Sequence, residues 1–258
     1  MDLRLNGKRV LVTGGSKGIG LACAREFLAE GAQVAIVSRS ADNLAAAAKA
    51  LPGVATFAAD LVDPAAAAAL VERVEAEFGP LDILVNSAGA AKRVAVDELS
   101  PASWRAAMDA KFFAYINVAD PLVKRMAARG AGVIVNVIGS GGKMASVTHL
   151  SGGAANAALM LATAGLGAAY AGRGVRVVGV NPTLTETERL TEGFAAVARQ
   201  QGVSLEDARA RSVASLPFGR LTRPDEIADA VVYLASERAS YISGVTIGVE
   251  GAQYPTVL

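Results

Sequence analysis

Cysteine and histidine are almost missing from this 258-residue chain: each occurs once, as Cys23 and His149. A single cysteine excludes an internal disulfide framework. One cysteine with one histidine leaves no zinc cluster of the usual ligand spacing, so no metal site is expected. An excess of charge of either sign is missing too. Lysine and arginine number 25 against 24 aspartates and glutamates, which gives no general electrostatic case for nucleic acid or an anionic membrane. The opening Met1-Asp2-Leu3-Arg4-Leu5-Asn6-Gly7-Lys8-Arg9 lacks the apolar stretch of a secretory signal, and the expectation is a cytoplasmic protein. Residues 144–172 carry no Asp, Glu, Lys or Arg. Much of that segment is Gly, Ala, Ser and Thr with Asn156 in its middle, which suits a helix packed closely on protein better than a membrane span.

What is present is a regular alternation. Apolar runs rich in β-branched residues fall at 9–13, 33–38, 54–59, 82–86, 132–138, 175–181 and 245–249, with helix-like stretches between them. Short, nearly all-apolar strands followed by helices are what a parallel sheet covered on both faces requires. Gly31 reads as a helix stop, and Asp63-Pro64 as an N-cap and first helical position. The expected architecture is α/β, one doubly wound domain over 1–258 with no linker or internal repeat. Residues 182–224 break the alternation. An insertion before the last strand lies at the carboxyl edge of the sheet, where ligands bind, and is expected to cover a substrate; a passive surface excursion is the competing reading. Cys23, inside the first helix, is expected in the core.

Between the first strand and first helix lies Thr13-Gly14-Gly15-Ser16-Lys17-Gly18-Ile19-Gly20. Glycines let the backbone turn tightly and approach a pyrophosphate, and the helix N-terminus offers free N–H groups and partial positive charge. The second strand should end in an acidic residue if the adenosine ribose carries a free 2′-hydroxyl. It ends in Ser38-Arg39-Ser40 instead. Arg39 can pair with a 2′-phosphate and Lys17 can add a second charge, so NADP(H) is expected over NAD(H). A solvated loop arginine is the bland alternative.

With these elements in view, the chain resembles the short-chain dehydrogenase/reductases from about Lys8 to Gly251. The resemblance rests on the glycine loop, Asp60-Leu61 after the third strand, and Asn86-Ser87-Ala88-Gly89 after the fourth. Asn181-Pro182 followed by Thr187 is similar to the family's nicotinamide-side segment, with Thr183 in place of a glycine. Pro224-Asp225-Glu226-Ile227-Ala228 and Ser243-Gly244-Val245-Thr246 are similar as well. The resemblance implies a seven-stranded, mostly parallel Rossmann sheet with helices on both faces, and a homotetramer or homodimer joined through the two longest helices. It also implies cofactor contacts from Gly14, Ser16, Lys17, Gly18, Ile19, Gly20, Ser38, Arg39, Ser40, Asp60, Leu61, Asn86, Ala88, Gly89, Pro182, Thr185 and Thr187.

The family's chemistry uses a tyrosine as acid/base, a lysine four residues later, a serine after the fifth strand and an asparagine on the preceding long helix. Ser140 matches the serine. No tyrosine occurs between Tyr115 and Tyr170. The local alignment puts Gly152 at the tyrosine position and Asn156 at the lysine position. The asparagine position falls on Lys111, so Lys and Asn look exchanged. Lys111 is expected either to deliver its ammonium into the pocket or, in the rival reading, to pair with Asp109 or Glu98. His149 is the first candidate for a replacement acid, with Ser151 and Lys143 behind it. The vacated ring space is expected to enlarge the pocket for a bulkier ligand unless Phe112, Phe113 or Met144 fills it. The leading expectation is an NADP(H)-dependent oxidoreductase of a small-molecule carbonyl or alcohol with a reorganised proton-transfer site. The alternatives are a nucleotide-binding sensor, scaffold or inactive partner, and a non-redox dehydration or isomerisation.

Overall fold

The computed structural model describes residues 1–89 and 91–255; positions 256–258 of the expected domain lie outside the described residues. Strands β1 (Arg9–Thr13), β2 (Gln33–Ser38), β3 (Ala55–Ala58), β4 (Ile83–Asn86), β5 (Gly132–Val137), β6 (Val175–Pro182) and β7 (Thr246–Val249) form one sheet in the order 3-2-1-4-5-6-7. All six pairings are parallel, in keeping with the expected seven-stranded, mostly parallel sheet. The reason is topological: every strand returns through a crossover, and no tight hairpin joins any two.

Alternation along the strands sorts the core into two layers. Val10, Val12, Val34, Ile36, Val178 and Val180 face α1 (Gly18–Ala29), α2 (Ala41–Ala50) and α9 (Pro224–Ala235). Leu11, Ala35, Val37, Leu84, Ile134 and Val177 face α3 (Pro64–Phe78) and α5 (Ala114–Arg129). A side-chain period of two makes this division unavoidable once both faces are covered. Cys23 is fully buried, and desolvation pushes its thiol up to about 12.

Local chemistry starts the helices where the sequence suggests. Asp63 accepts a hydrogen bond from the Ala65 N–H with Pro64 in the first turn of α3. Ser40 caps α2 by accepting from the Asn43 N–H. Ser100 and Ser103 cap each other at the start of α4 (Pro101–Ala107). One feature had no sequence signal: α4 runs into a π-helical segment, Met108–Phe113, before continuing as α5. Such a widened turn rotates side chains relative to a plain α-helix, and Lys111 lies within it.

The apolar segment forms α6 (Leu150–Ala171). By length and composition it could cross a membrane. Here its Gly152, Ala155, Asn156, Leu159 and Thr163 are buried and it packs along β6, so its small residues serve close packing.

A buried polar chain ties sheet to helix. Asn86 Nδ2 donates to Asn136 Oδ1 at 3.0 Å, and Asn136 Nδ2 donates to Thr163 Oγ1 at 2.9 Å. The Ser87 and Ala88 N–H groups donate to Thr13 Oγ1. Replacing Asn136 by alanine strands the buried Asn86 Nδ2, at about 1–3 kcal/mol, and takes one hydrogen bond from Thr163 Oγ1, which keeps its bond to the Leu159 carbonyl, at about 1 kcal/mol more. Asn136→Ala is therefore expected to lower stability by about 2–4 kcal/mol, read as a shifted urea midpoint at unchanged slope.

Between β6 and α9 the chain adds α7 (Glu188–Gln201) and α8 (Leu205–Ala214). Phe194, Leu216 and Leu221 give this segment a small core of its own, and Thr185 bridges to Thr222.

Candidate active site

The chain leaves β1 for β2 on one side, while β4 lies on the other. That makes the carboxyl ends of β1 and β4 a switch point, where an open α/β sheet forms its crevice. A cavity of about 300 Å³ opens there, lined among others by Gly14, Ser38, Arg39, Asp60, Leu61, Ala88 and Gly89. The glycine loop beside it cannot carry side chains. Gly14 has φ +66°, and a Cβ on it would stand 2.8 Å from Ala88 Cα; a Cβ on Gly20 would stand 2.3 Å from the Gly14 carbonyl oxygen. No side chain caps α1, whose N-cap residue is Lys17, so its first N–H groups remain available to an anion. This cradle and the arginine at its far end fit a dinucleotide.

Other sequence-picked residues stand differently around it. Asn86 is fully buried in the polar chain and supports the wall from behind. Ser16 is buried in the loop, while the Ser40 hydroxyl oxygen is the α2 cap. Lys17 is engaged with Glu188 at 3.0 Å, with both side chains mostly in solvent. Ile19, Thr185 and Thr187 line a second cavity of about 430 Å³ under α7, and Pro182 ends β6. A further cavity, about 550 Å³, is lined by Asp82, Gly132 and Val175 at the strands' amino ends, far from this edge.

A third cavity, about 70 Å³, brings together Lys111, His149, Gly152, Asn156 and Arg189. Lys111 is 8% exposed, and among the described residues no carboxylate is its partner. Its ammonium donates to Tyr115 Oη at 2.8 Å and to the Val137 carbonyl at 3.0 Å, which removes the reading that pairs it with Asp109 or Glu98. An ammonium has three N–H donors, so one is left for the cavity. Burial first, and then Arg189, hold the Lys111 pKa down at about 7. Tyr115 is buried behind it, hydrogen-bonded to the same carbonyl, with its own pKa raised by burial.

His149 occupies the space beside Gly152. A Cβ on Gly152 would lie 2.1 Å from His149 Cε1 and 2.3 Å from Nε2. The imidazole thus fills the room expected for Phe112, Phe113 or Met144. Phe113 and Met144 are exposed instead, and Phe112 packs with Tyr115 and Ile138. With the space filled, the expected enlargement of the pocket floor is corrected: this cavity is small. Burial, reinforced by Arg93, Arg189 and Lys111, holds the His149 pKa down at about 4, so its ring is neutral at pH 7. His149 Nδ1 and Asn156 Oδ1 are both buried with no hydrogen-bond partner. Native interiors seldom leave such atoms orphaned unless water or a ligand meets them.

Ser140 opens a 3-10 turn, Ser140–Gly142. It is not among the residues lining the 70 Å³ cavity, but Asn156 Nδ2 lies against this turn, 3.1 Å from where a Gly139 Cβ would be. Three residues here escaped sequence reading. Tyr115 had a signal, its spacing of four from Lys111 on one helix. Arg93 and Arg189 had none, because each reaches the site from a distant loop or helix.

The comparisons with known proteins bear on the family and the fold. The short chain dehydrogenase family matches residues 8–197. A D-threitol dehydrogenase of Mycolicibacterium smegmatis is 36% identical over 254 residues, spanning 97% of this chain and 94% of that one. A cis-4-hydroxycyclohexanecarboxylate dehydrogenase of Sinomonas cyclohexanicum is 36% identical over 245 residues, 93% and 94% of the two chains. The crystal structure of L-sorbose reductase from Gluconobacter frateurii, complexed with NADPH and L-sorbose, superposes with a TM-score of 0.93 at 31% identity over 100% of both chains. With its parallel sheet, its glycine cradle and relatives that share nearly its whole length, the chain belongs to the short chain dehydrogenase family, as an oxidoreductase of carbonyl or alcohol substrates.

Proposed function

We propose that the protein is an NADP(H)-dependent carbonyl reductase or alcohol dehydrogenase in which Lys111 takes over proton transfer. The observation that carries this is the small cavity: a buried ammonium whose pKa is about 7 shares it with two unpartnered polar atoms. A group poised near neutrality is what general acid–base work requires. When bound, NADPH would supply the hydride.

The chain's own residues divide the remaining tasks. Gly14, Gly18 and Gly20 let the backbone approach the pyrophosphate, with Ser16 and Ile19 beside them. Ser38, Arg39, Asp60, Leu61, Ala88 and Gly89 hold the adenosine end, and Thr185 and Thr187 close over the nicotinamide side. Ser140 and Asn156 orient the substrate oxygen. Lys111 gives that oxygen a proton during reduction and takes it back during oxidation. His149, neutral at pH 7, fills the space over Gly152 and offers a hydrogen bond rather than a charge. Tyr115 positions Lys111. Residues 182–224 form the substrate cover, as their share of the 430 Å³ cavity suggests. The outward face of α6, where Leu161 is 77% exposed, is the assembly face of a homodimer or homotetramer, and sedimentation equilibrium reads that directly.

The deciding experiment uses NADPH carrying deuterium at the transferred position. Label appearing in the alcohol product supports the reading; tight NADPH binding with no transfer to any carbonyl overturns it in favour of a nucleotide-binding protein without turnover. The cofactor choice has its own test. Arg39 lines the adenosine end with no acidic neighbour from β2, and a charged hydrogen bond to phosphate is worth about 10–100-fold in affinity. Arg39→Ala is expected to weaken NADPH by that factor in a calorimetric titration and to leave NADH unchanged.

A further inference from the structure

We infer that the substrate carries a carboxylate, held between Arg93 and Arg189 at the mouth of the cavity that contains His149. This rests on the reading of that cavity as the substrate site and names the substrate class it accepts. Both arginines line the 430 Å³ cavity under α7, and Arg189 also reaches the inner cavity of Lys111 and Asn156. His149 and Ala91 line both, so the two spaces share a wall.

Charge is unbalanced there. Neither cavity has an aspartate or glutamate in its lining among the described residues. Arg93 donates to Thr148 Oγ1 at 3.0 Å, a neutral acceptor. Among the described residues Arg189 makes two long hydrogen bonds, 3.5 Å to the Gly89 carbonyl and 3.3 Å to the Ala91 carbonyl. The nearby acids are engaged or too far to pair: Glu188 binds Lys17, Glu186 binds Arg209, and Glu192 acts on Arg189 without an ion pair within 4.0 Å among the described residues. A guanidinium carries five N–H donors in a planar fork that fits a carboxylate in two-point fashion. Three cations around one neutral imidazole repel each other until an anion enters. An anion also explains why Arg189 lies across backbone carbonyls, held in place but unspent. Lys111, deeper in, then meets the reacting oxygen while the arginines hold the acid end, which makes the substrate a keto acid or hydroxy acid.

The single histidine makes the test direct, because in the untagged protein the imidazole proton signals belong to His149 alone. Benzoate and its neutral counterpart benzamide are titrated while those signals are followed, with inorganic phosphate as a third arm. Benzoate is expected to shift them saturably, at a concentration about 10-fold or more below that of benzamide. Arg189→Gln and Arg93→Gln are expected each to erase that preference, and Arg189→Lys to keep part of it, while NADPH affinity stays unchanged. Equal response to benzoate and benzamide, saturation by phosphate but not benzoate, or a preference surviving in both glutamine variants overturns the inference. So does an Arg189→Gln variant that loses NADPH instead. The signal does not require hydride transfer. A carboxylate shift in a protein that transfers no deuterium upholds the subsite and sinks only the redox reading.

Discussion

Replacing Lys111 by methionine is expected to lower carbonyl reduction at pH 6 by about 10²–10⁴, the usual contribution of a positioned acid, while making the fold more resistant to urea. The two effects share one cause. The ammonium is buried with, among the described residues, Tyr115 Oη and the Val137 carbonyl to receive it, and the cavity lining adds no negative charge. Its pKa falls from 10.5 to about 7. Between those two values the folded state binds fewer protons than the unfolded state, so this group makes stability rise with pH across that window. Below pH 7 both states are protonated and the full cost of the buried charge is present; above 10.5 both are neutral and the cost is gone. An apolar side chain of similar length removes it, worth about 1–4 kcal/mol at pH 6 and shrinking toward nothing near pH 10. Urea midpoints for both proteins at several pH values read this. Activity should follow the same proton: reduction declines as pH rises through about 7, and that limb vanishes in Lys111→Met. His149→Gln keeps it, because His149 is already neutral there. A stable, fully active Lys111→Met variant would remove Lys111 from the chemistry.

The fold was legible because its signals are local. The runs at 9–13 and 33–38 are β1 and β2 to the residue, since β-branched residues stop at glycine or a helix cap. The run at 54–59 overreached by one residue at each end of β3, a strand paired on one side only, where the ladder rather than the sequence decides the ends. The crevice at the carboxyl ends of β1 and β4 was legible for a similar reason, as Gly14 and Arg39 lie beside the strands that place them. The chemistry was legible only in part. Lys111 and Asn156 could be placed by matching, but not the π-helical turn that carries Lys111 or the carbonyl that receives it. His149 was visible as the only imidazole, yet nothing in Thr148-His149-Leu150 says that its ring lies over Gly152; that contact depends on how the loop before α6 folds back. Arg189 entered from α7, and no spacing rule links a residue there to Lys111.

Placing a tyrosine at position 152 is expected to fail alone and to succeed with His149 removed. A Cβ at Gly152 meets the imidazole at 2.1 Å, so even Gly152→Ala must displace the ring, and forcing atoms into a filled site costs about 1–3 kcal/mol. In a His149→Ala background that cost should largely disappear, a coupling of about 0.5–3 kcal/mol between contacting residues, measurable by a four-protein urea cycle. The catalytic consequence is larger. In Gly152→Tyr/His149→Ala a phenol enters the cavity beside Lys111 and Arg189, two cations that favour its ionised form. Lys111 then has a charge to stabilise rather than a proton to deliver. Above pH 8, where its own amine is mostly neutral in the parent protein, the double variant should reduce carbonyls about 10²-fold faster, the lower end of what a positioned acid supplies. The single variant should gain nothing and lose stability. If the double variant folds yet shows no gain, proton transfer does not limit turnover in this cavity, and the role assigned to Lys111 falls with it.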